Sequence, residues 1–176
     1  MIVKIISNII LICSLGILQI SLISDLPAVL GSLNLVLVIL IFILGFYNFD
    51  LAALWAVSVG FLLEIFSFLP FGAYIFSLSL TILVANFLLN HFFTNRSLYS
   101  FLALTGLATI IYGLIINFFV FLFVEANSFA MMAGGVFWFS LLEQIGMNLL
   151  ATLIIYYAIY FLGKNLKPVF LIHPVK

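Results

Sequence analysis

Apolar segments of about twenty residues alternate with short polar interruptions along the chain, and this pattern predicts transmembrane helices. Residues 5–24, between Lys4 and Asp25, contain no charged side chain, and a helix of that length crosses a hydrocarbon core of roughly 30 Å. Proline, glycine and the sparse charges mark the other boundaries. Six helices are predicted, at 5–24, 29–47, 51–68, 71–90, 98–124 and 134–162.

The segments between the predicted helices are short, and none is long enough to form a soluble domain. The first apolar segment is longer than the hydrophobic region of a signal peptide and lacks a small-x-small cleavage pattern, so we interpret it as a retained helix. We therefore expect a single integral membrane domain, residues 1–176, that folds as an all-α bundle of six transmembrane helices with a tail at 163–176.

Composition agrees with this interpretation, because 68% of the residues are hydrophobic and only 6% are charged. A soluble chain of this size needs far more polar surface. The formal net charge is zero, so no basic field attracts nucleic acid. Cys13 is the only cysteine in the sequence, which excludes an intrachain disulfide and a multi-cysteine metal site.

The basic residues indicate the orientation, since cytoplasmic loops of membrane proteins are enriched in Lys and Arg. An even number of helices leaves both ends of the chain on one side. If that side is the cytoplasm, all basic residues lie inside: Lys4, Arg96, Lys164, Lys167 and Lys176. The outer loops then carry only Asp25 and Glu125. We therefore predict that the N-terminus and the C-terminus are both cytoplasmic.

Small residues and one acid form a row on the third predicted helix. The members lie four residues apart, at Ala52, Ala56, Gly60 and Glu64. Residues at this spacing share one helix face, and small side chains there allow two helices to approach closely in a membrane. We predict that this row packs against another helix or contacts a partner protein.

Two further rows with the same spacing carry polar side chains. The fifth predicted helix has Thr105, Thr109, Gly113 and Asn117, and the sixth has Gln144, Asn148 and Thr152 beside Glu143. Amides and hydroxyls at such positions commonly form hydrogen bonds between membrane helices. We therefore expect buried polar side chains at Asn117, Glu143, Gln144 and Asn148.

Glu64 and Glu143 differ from the other polar residues, because an ionisable group in hydrocarbon costs roughly 2.5 kcal/mol or more. A rise of about 1.5 Å per residue places both acids at similar depth in the outer half of the bilayer. Each is expected to be neutral, to hydrogen-bond with Gln144 or Ser67, or to face a partner. For Glu64 three interpretations stay open: an acid at the membrane interface, a paired acid site in a crevice, and a contact between proteins.

The sequence contains no motif typical of an enzyme. It has no H-E-x-x-H, G-x-S-x-G, P-loop or dinucleotide-binding glycine pattern. His91 and His173 lie in a loop and in the tail, without the neighbouring acids or thiols that would complete a metal site. We therefore predict a protein that is not an enzyme and that uses no metal or cofactor.

The segment from residue 60 to residue 72, G-F-L-L-E-I-F-S-F-L-P-F-G, resembles MreD, a small membrane protein that determines rod shape. That family places a glycine on its third helix, an acid four residues later, usually aspartate, and a Pro-x-Gly turn before the fourth helix. The matching positions here are Gly60, Glu64, Pro70 and Gly72. The resemblance implies a scaffold of the cell-wall elongation complex in the bacterial inner membrane, in contact with lipid and with an MreC-like protein that has one membrane span.

The alternative is a substrate-binding S component of an energy-coupling-factor vitamin transporter. Such proteins have a similar size and helix number, and they bind a vitamin in an outward-facing pocket, which Glu64, Glu143 and Gln144 would line here. Their first helix usually carries an Ala-x-x-x-Ala pair for docking, whereas the pair in this chain, Ala52 and Ala56, is on the third helix. A proton-coupled carrier that uses the two acids is a third possibility, although the chain shows no internal repeat.

Overall fold

The computed structural model of the chain describes residues 2–23, 26, 28–93, 97–123 and 135–170. All regular structure in these residues is helical, which confirms the predicted all-α class. The helices are α1 (Ile2–Ile17, continued by a π-helical turn at Leu18–Ile23), α2 (Ala28–Gly31), α3 (Leu35–Phe46), α4 (Phe49–Ile65), α5 (Ala73–His91), α6 (Leu98–Phe123) and α7 (Gly135–Phe170).

Three helices are long and apolar enough to cross a membrane, namely α5, α6 and residues 135–162 of α7. They correspond to the fourth, fifth and sixth predicted helices. α4 has 17 residues, which gives a length of about 26 Å, while α1 and α3 contribute shorter apolar helices. The structure is therefore compatible with a membrane protein.

The second predicted helix, 29–47, is not continuous, because the chain interrupts it at residues 32–34. α2 forms a single turn, and α3 starts at Leu35. The side chain of Asn34 caps α3 by accepting a hydrogen bond from the Leu37 N–H at 3.0 Å. Asparagine is among the preferred N-cap residues, so the interruption has a local cause in the sequence.

α3 lies at the centre of the bundle, where it contacts α1, α4, α5, α6 and α7. Most of its residues are buried, and its first half, from Val36 to Ile41, is fully enclosed except at Ile39. A helix that is apolar on every side is generally buried on every side, and the sequence L-V-L-V-I-L-I-F-I-L has no polar face. The longer helices therefore surround a short central one.

α4 and α5 form an antiparallel pair joined by residues 66–72. The two helices lie close together at Gly60, since a Cβ atom at this position would lie 2.9 Å from the Cα of Ile75. The small-residue row is interior, with Ala52 and Ala56 fully buried. This burial agrees with the packing interpretation of the row.

α7 is longer than the sixth predicted helix. It continues to Phe170, whereas the sequence predicts a tail from residue 163. Residues 163–167 contain no proline, so each of them can donate its backbone N–H to the helix. The remainder of the predicted tail, 171–176, lies outside the described residues, as do Asp25, Arg96 and Glu125.

Candidate functional site

A carboxylate from α4 holds the start of α5. Glu64 is 6% exposed, and its Oε1 accepts a hydrogen bond from the backbone N–H of Ile75 at 3.0 Å. Ile75 belongs to the first turn of α5, whose N-cap residue, Gly72, provides no side-chain hydrogen bond. The first N–H groups of a helix have no partner within the helix, so Glu64 acts as a capping side chain from the preceding helix.

Pro70 and Gly72 turn the chain into α5. Gly72 has a φ of +103°, in the left-handed region that glycine tolerates without the steric cost of a Cβ atom. The carbonyl of Pro70 accepts a hydrogen bond from the Ala73 N–H at 3.2 Å. The carbonyl of Gly72 accepts one from the Phe76 N–H at 2.9 Å. Together with Glu64, the two residues define where α5 begins.

The surroundings of Glu64 differ from the expected ones. Neither Gln144 nor Ser67 is its partner, and the Ser67 hydroxyl instead accepts a hydrogen bond from the Leu69 N–H at 3.0 Å. The second carboxylate oxygen, Oε2, is buried and has no hydrogen-bond partner in the described part of the chain. An acid at the membrane interface and a contact between proteins both require exposure, so the burial of Glu64 favours an acid inside the bundle.

Amide side chains from the first and last helices form hydrogen bonds with the backbone groups of the interruption between α2 and α3. Gln19, in the π-helical turn, donates from Nε2 to the Leu33 carbonyl at 3.0 Å and accepts from the Leu35 N–H at 2.9 Å. Asn148 of α7 accepts from the backbone N–H of Asn34 at 2.8 Å. An unpaired backbone group away from water is costly, so these amides allow a helix to start inside the bundle.

The predicted polar rows of α6 and α7 pack against each other. The Asn148 Nδ2 donates to the Thr109 hydroxyl at 2.9 Å. One turn further along α7, the Thr152 hydroxyl donates to the Thr105 hydroxyl at 3.2 Å. All four side chains are fully buried. The hydrogen bonds that we expected between these rows are therefore present.

A cavity of about 510 Å³ opens at the end of the bundle that carries the α4–α5 connection. Its lining combines side-chain amides, hydroxyls and apolar groups. The amides and tyrosines are Gln19, Asn34, Asn117, Gln144, Tyr74 and Tyr112. Phe66 and Phe137 are among the apolar members. None of the described residues that line the cavity carries a charge.

Of the four residues predicted as buried polar side chains, Asn148 alone is fully buried. Asn117 and Gln144 are partly exposed, because the cavity opens onto them. Glu143 is also partly exposed, and its neighbour Leu142 is 64% exposed, so this part of α7 is only partly covered. Neither Glu64 nor Glu143 lines the cavity, which corrects the lining expected for the transporter alternative.

Sequence reasoning missed Gln19, Asn34, Tyr74 and Tyr112. A signal existed for the first two, because an amide on each side of the first connection interrupts an otherwise apolar segment. The tyrosines gave no such signal, since tyrosine in a membrane helix ordinarily indicates the membrane interface. Only the packing of the helices brings these side chains together.

The cavity offers hydrogen bonding and contact with aromatic rings. Within the described ranges, no three His, Cys, Asp or Glu side chains lie together in a way that would hold a metal ion. Comparison of the chain with protein-family models, with curated proteins and with solved structures gives no match.

Proposed function

We propose that the chain is a non-enzymatic scaffold, similar to MreD, in the rod-shape complex of a bacterial inner membrane. The observation that supports this proposal is that the four residues of the resemblance act on one feature of the fold. Gly60 admits the backbone of α5, and Glu64 hydrogen-bonds its first turn. Pro70 and Gly72 form the turn between the two helices. A scaffold needs a fixed element of this kind to present to its partners.

The element that these residues fix is an aromatic tip, residues 66–72. Phe66, Phe68 and Phe71 are 65%, 106% and 76% exposed, whereas Glu64 is interior. The tip residues are therefore the ones that meet a neighbouring protein, and the motif residues hold them in place. Aromatic side chains are enriched in protein interfaces. We assign this tip to the contact with an MreC-like partner.

In this proposal six helices cross the membrane and both termini are cytoplasmic, so the aromatic tip and the cavity face the periplasmic side. The basic residues then lie on the cytoplasmic side, as the positive-inside rule favours. A partner with one membrane span and a periplasmic domain can therefore contact the tip on the periplasmic side.

Depletion of the protein from rod-shaped cells tests the proposal, because we expect the cells to become round and the purified protein to bring a partner with a single span. The Phe68→Ala variant is expected to recover much less partner than the unchanged protein. Phe92→Ala is the matched control, since Phe92 is 69% exposed at the opposite end of α5 and its loss should not change the recovery. Cells that stay rod-shaped after depletion refute the scaffold.

An S component of a vitamin transporter is the second candidate, and the cavity is the observation that favours it. The cavity has a volume of about 510 Å³, within the range of roughly 300–1,000 Å³ that is usual for small-molecule sites. The first helix lacks the Ala-x-x-x-Ala docking pair that is expected there. Co-purification with an ATPase, in place of a partner with a single span, would decide for the transporter.

A further inference from the structure

We propose that the cavity binds an uncharged small molecule with a flat ring and an amide or lactam edge. This site goes beyond the scaffold function and does not depend on it, because only the side chains that line the cavity define it. If the chain is instead a transporter component, these side chains favour the same chemical class of ligand.

The polar side chains of the cavity fall into two groups according to their hydrogen bonds. Gln19 is engaged through both its oxygen and its nitrogen with the backbone at residues 33 and 35. Asn34 caps α3 through its side-chain oxygen. The side chain of Gln144, in contrast, has no hydrogen-bond partner among the described residues. Its amide can therefore give both a donor and an acceptor to a ligand.

Asn117 adds a second available group next to Gln144. Its Nδ2 donates to the Gly113 carbonyl at 2.8 Å, which leaves its Oδ1 as a free acceptor in the described structure. Gln144 lies beside the same glycine, with Oε1 4.0 Å from the position that a Cβ atom of Gly113 would take. Both amides therefore lie close to Gly113 in the cavity wall.

The amides and rings of the cavity together indicate the chemical class of the ligand. A primary amide matches the adjacent donor and acceptor of a lactam or carboxamide, and the rings of Phe66, Tyr74, Tyr112 and Phe137 suit a flat ring, since aromatic groups pack with one another in stacked or edge-on arrangements. No charged side chain lines the described part of the wall. A phosphate or carboxylate would lose its hydration there without gaining an oppositely charged partner, so a neutral molecule is favoured.

Binding to the full-length protein in lipid nanodiscs tests the proposal, with equilibrium dialysis as the readout. The probes are two matched pairs, uridine with uridine monophosphate and nicotinamide with nicotinate, whose members differ in charge. We expect at least one uncharged probe to bind and its charged counterpart to bind at least roughly tenfold more weakly.

Variants then locate the site. Gln144→Leu is expected to weaken binding of the uncharged probe by roughly tenfold, the typical effect of one lost hydrogen bond in a buried site. Asn117→Leu is a second variant, which tests the same cavity if Gln144→Leu does not fold. Asn90→Leu is the matched control, because Asn90 is an exposed amide at the opposite end of α5, and it should bind as the unchanged protein does.

Three results overturn the proposal: no binding of either uncharged probe at millimolar concentration, equal binding of the charged and uncharged members of a pair, or unchanged binding by a folded Gln144→Leu variant. The assay uses the isolated protein. Its failure therefore leaves the scaffold proposal standing, and normal rods after depletion would leave the binding result standing.

Discussion

Replacement of Glu64 by leucine or by glutamine tests whether this acid caps α5. Leucine removes the oxygen that accepts the Ile75 N–H, while glutamine retains an oxygen at the position of Oε1. Both variants preserve most of the side-chain volume, so neither creates a large cavity. The two substitutions therefore differ in the one interaction that the structure assigns to Glu64.

The expected cost follows from the partial burial of the hydrogen bond. A fully buried donor that loses its acceptor costs about 1–3 kcal/mol, and Glu64→Leu leaves the partly buried Ile75 N–H without its acceptor. Part of this cost is offset, because leucine also removes Oε2, a buried polar atom without a partner in the described residues. We expect Glu64→Leu to be less stable than Glu64→Gln by about 1–2 kcal/mol, toward the lower part of that range.

Unfolding by sodium dodecyl sulfate in mixed micelles, followed by circular dichroism, measures the difference in the free energy of unfolding. The matched control is Glu143, a partly exposed glutamate to which the described residues make no hydrogen bond. Its leucine and glutamine variants should differ by less than about 0.5 kcal/mol, as surface substitutions do. If Glu64→Leu is as stable as Glu64→Gln, the capping role of Glu64 is wrong.

Three other substitutions have definite expectations in the same unfolding assay. Gly60→Ala places a methyl group 2.9 Å from the Ile75 Cα and should cost about 1–3 kcal/mol of unfolding free energy through overpacking. An unchanged midpoint of the detergent-induced unfolding would show that α4 and α5 separate easily. Asn148→Leu leaves the buried Asn34 N–H unpaired and should cost about 1–3 kcal/mol, and a neutral effect would mean that water reaches this amide. Gly72→Ala forces alanine to a φ of +103° and should cost about 1–2 kcal/mol, whereas a stabilised variant would contradict the left-handed turn.

The sequence predicted the features that depend on spacing along one helix. The steps of four residues placed Ala52 and Ala56 on an interior face, and they placed Thr109 and Asn148 on the faces by which α6 and α7 meet. Helical periodicity alone determines which side chains share a face. For the same reason the apolar segments indicated an all-α protein before any packing was known.

The features that depend on contact between distant helices were not predictable in this way. Residues 29–47 are apolar enough to suggest one helix, and although Asn34 caps α3 locally, the sequence does not show that Asn148 of α7 accepts from the Asn34 N–H. Gln19 is one of two amides in the first apolar segment, with Asn8, and its sequence position does not show that it bonds the backbone of Leu33 and Leu35. Glu64 was identified as unusual, but its partner, an N–H eleven residues later, depends on the geometry of the turn.

Gln19, Asn148 and Glu64 share one physical cause, which separates structural residues from functional ones. Two helices, α3 and α5, begin against other parts of the bundle, and their first N–H groups have no acceptor within their own helix. Gln19 and Asn148 supply acceptors at α3, and Glu64 supplies one at α5. These side chains are thus required by the fold, whatever the protein does. Gln144 gives no hydrogen-bond acceptor to a helix start in the described structure, and it lines the cavity. It is therefore the amide whose presence a ligand explains best.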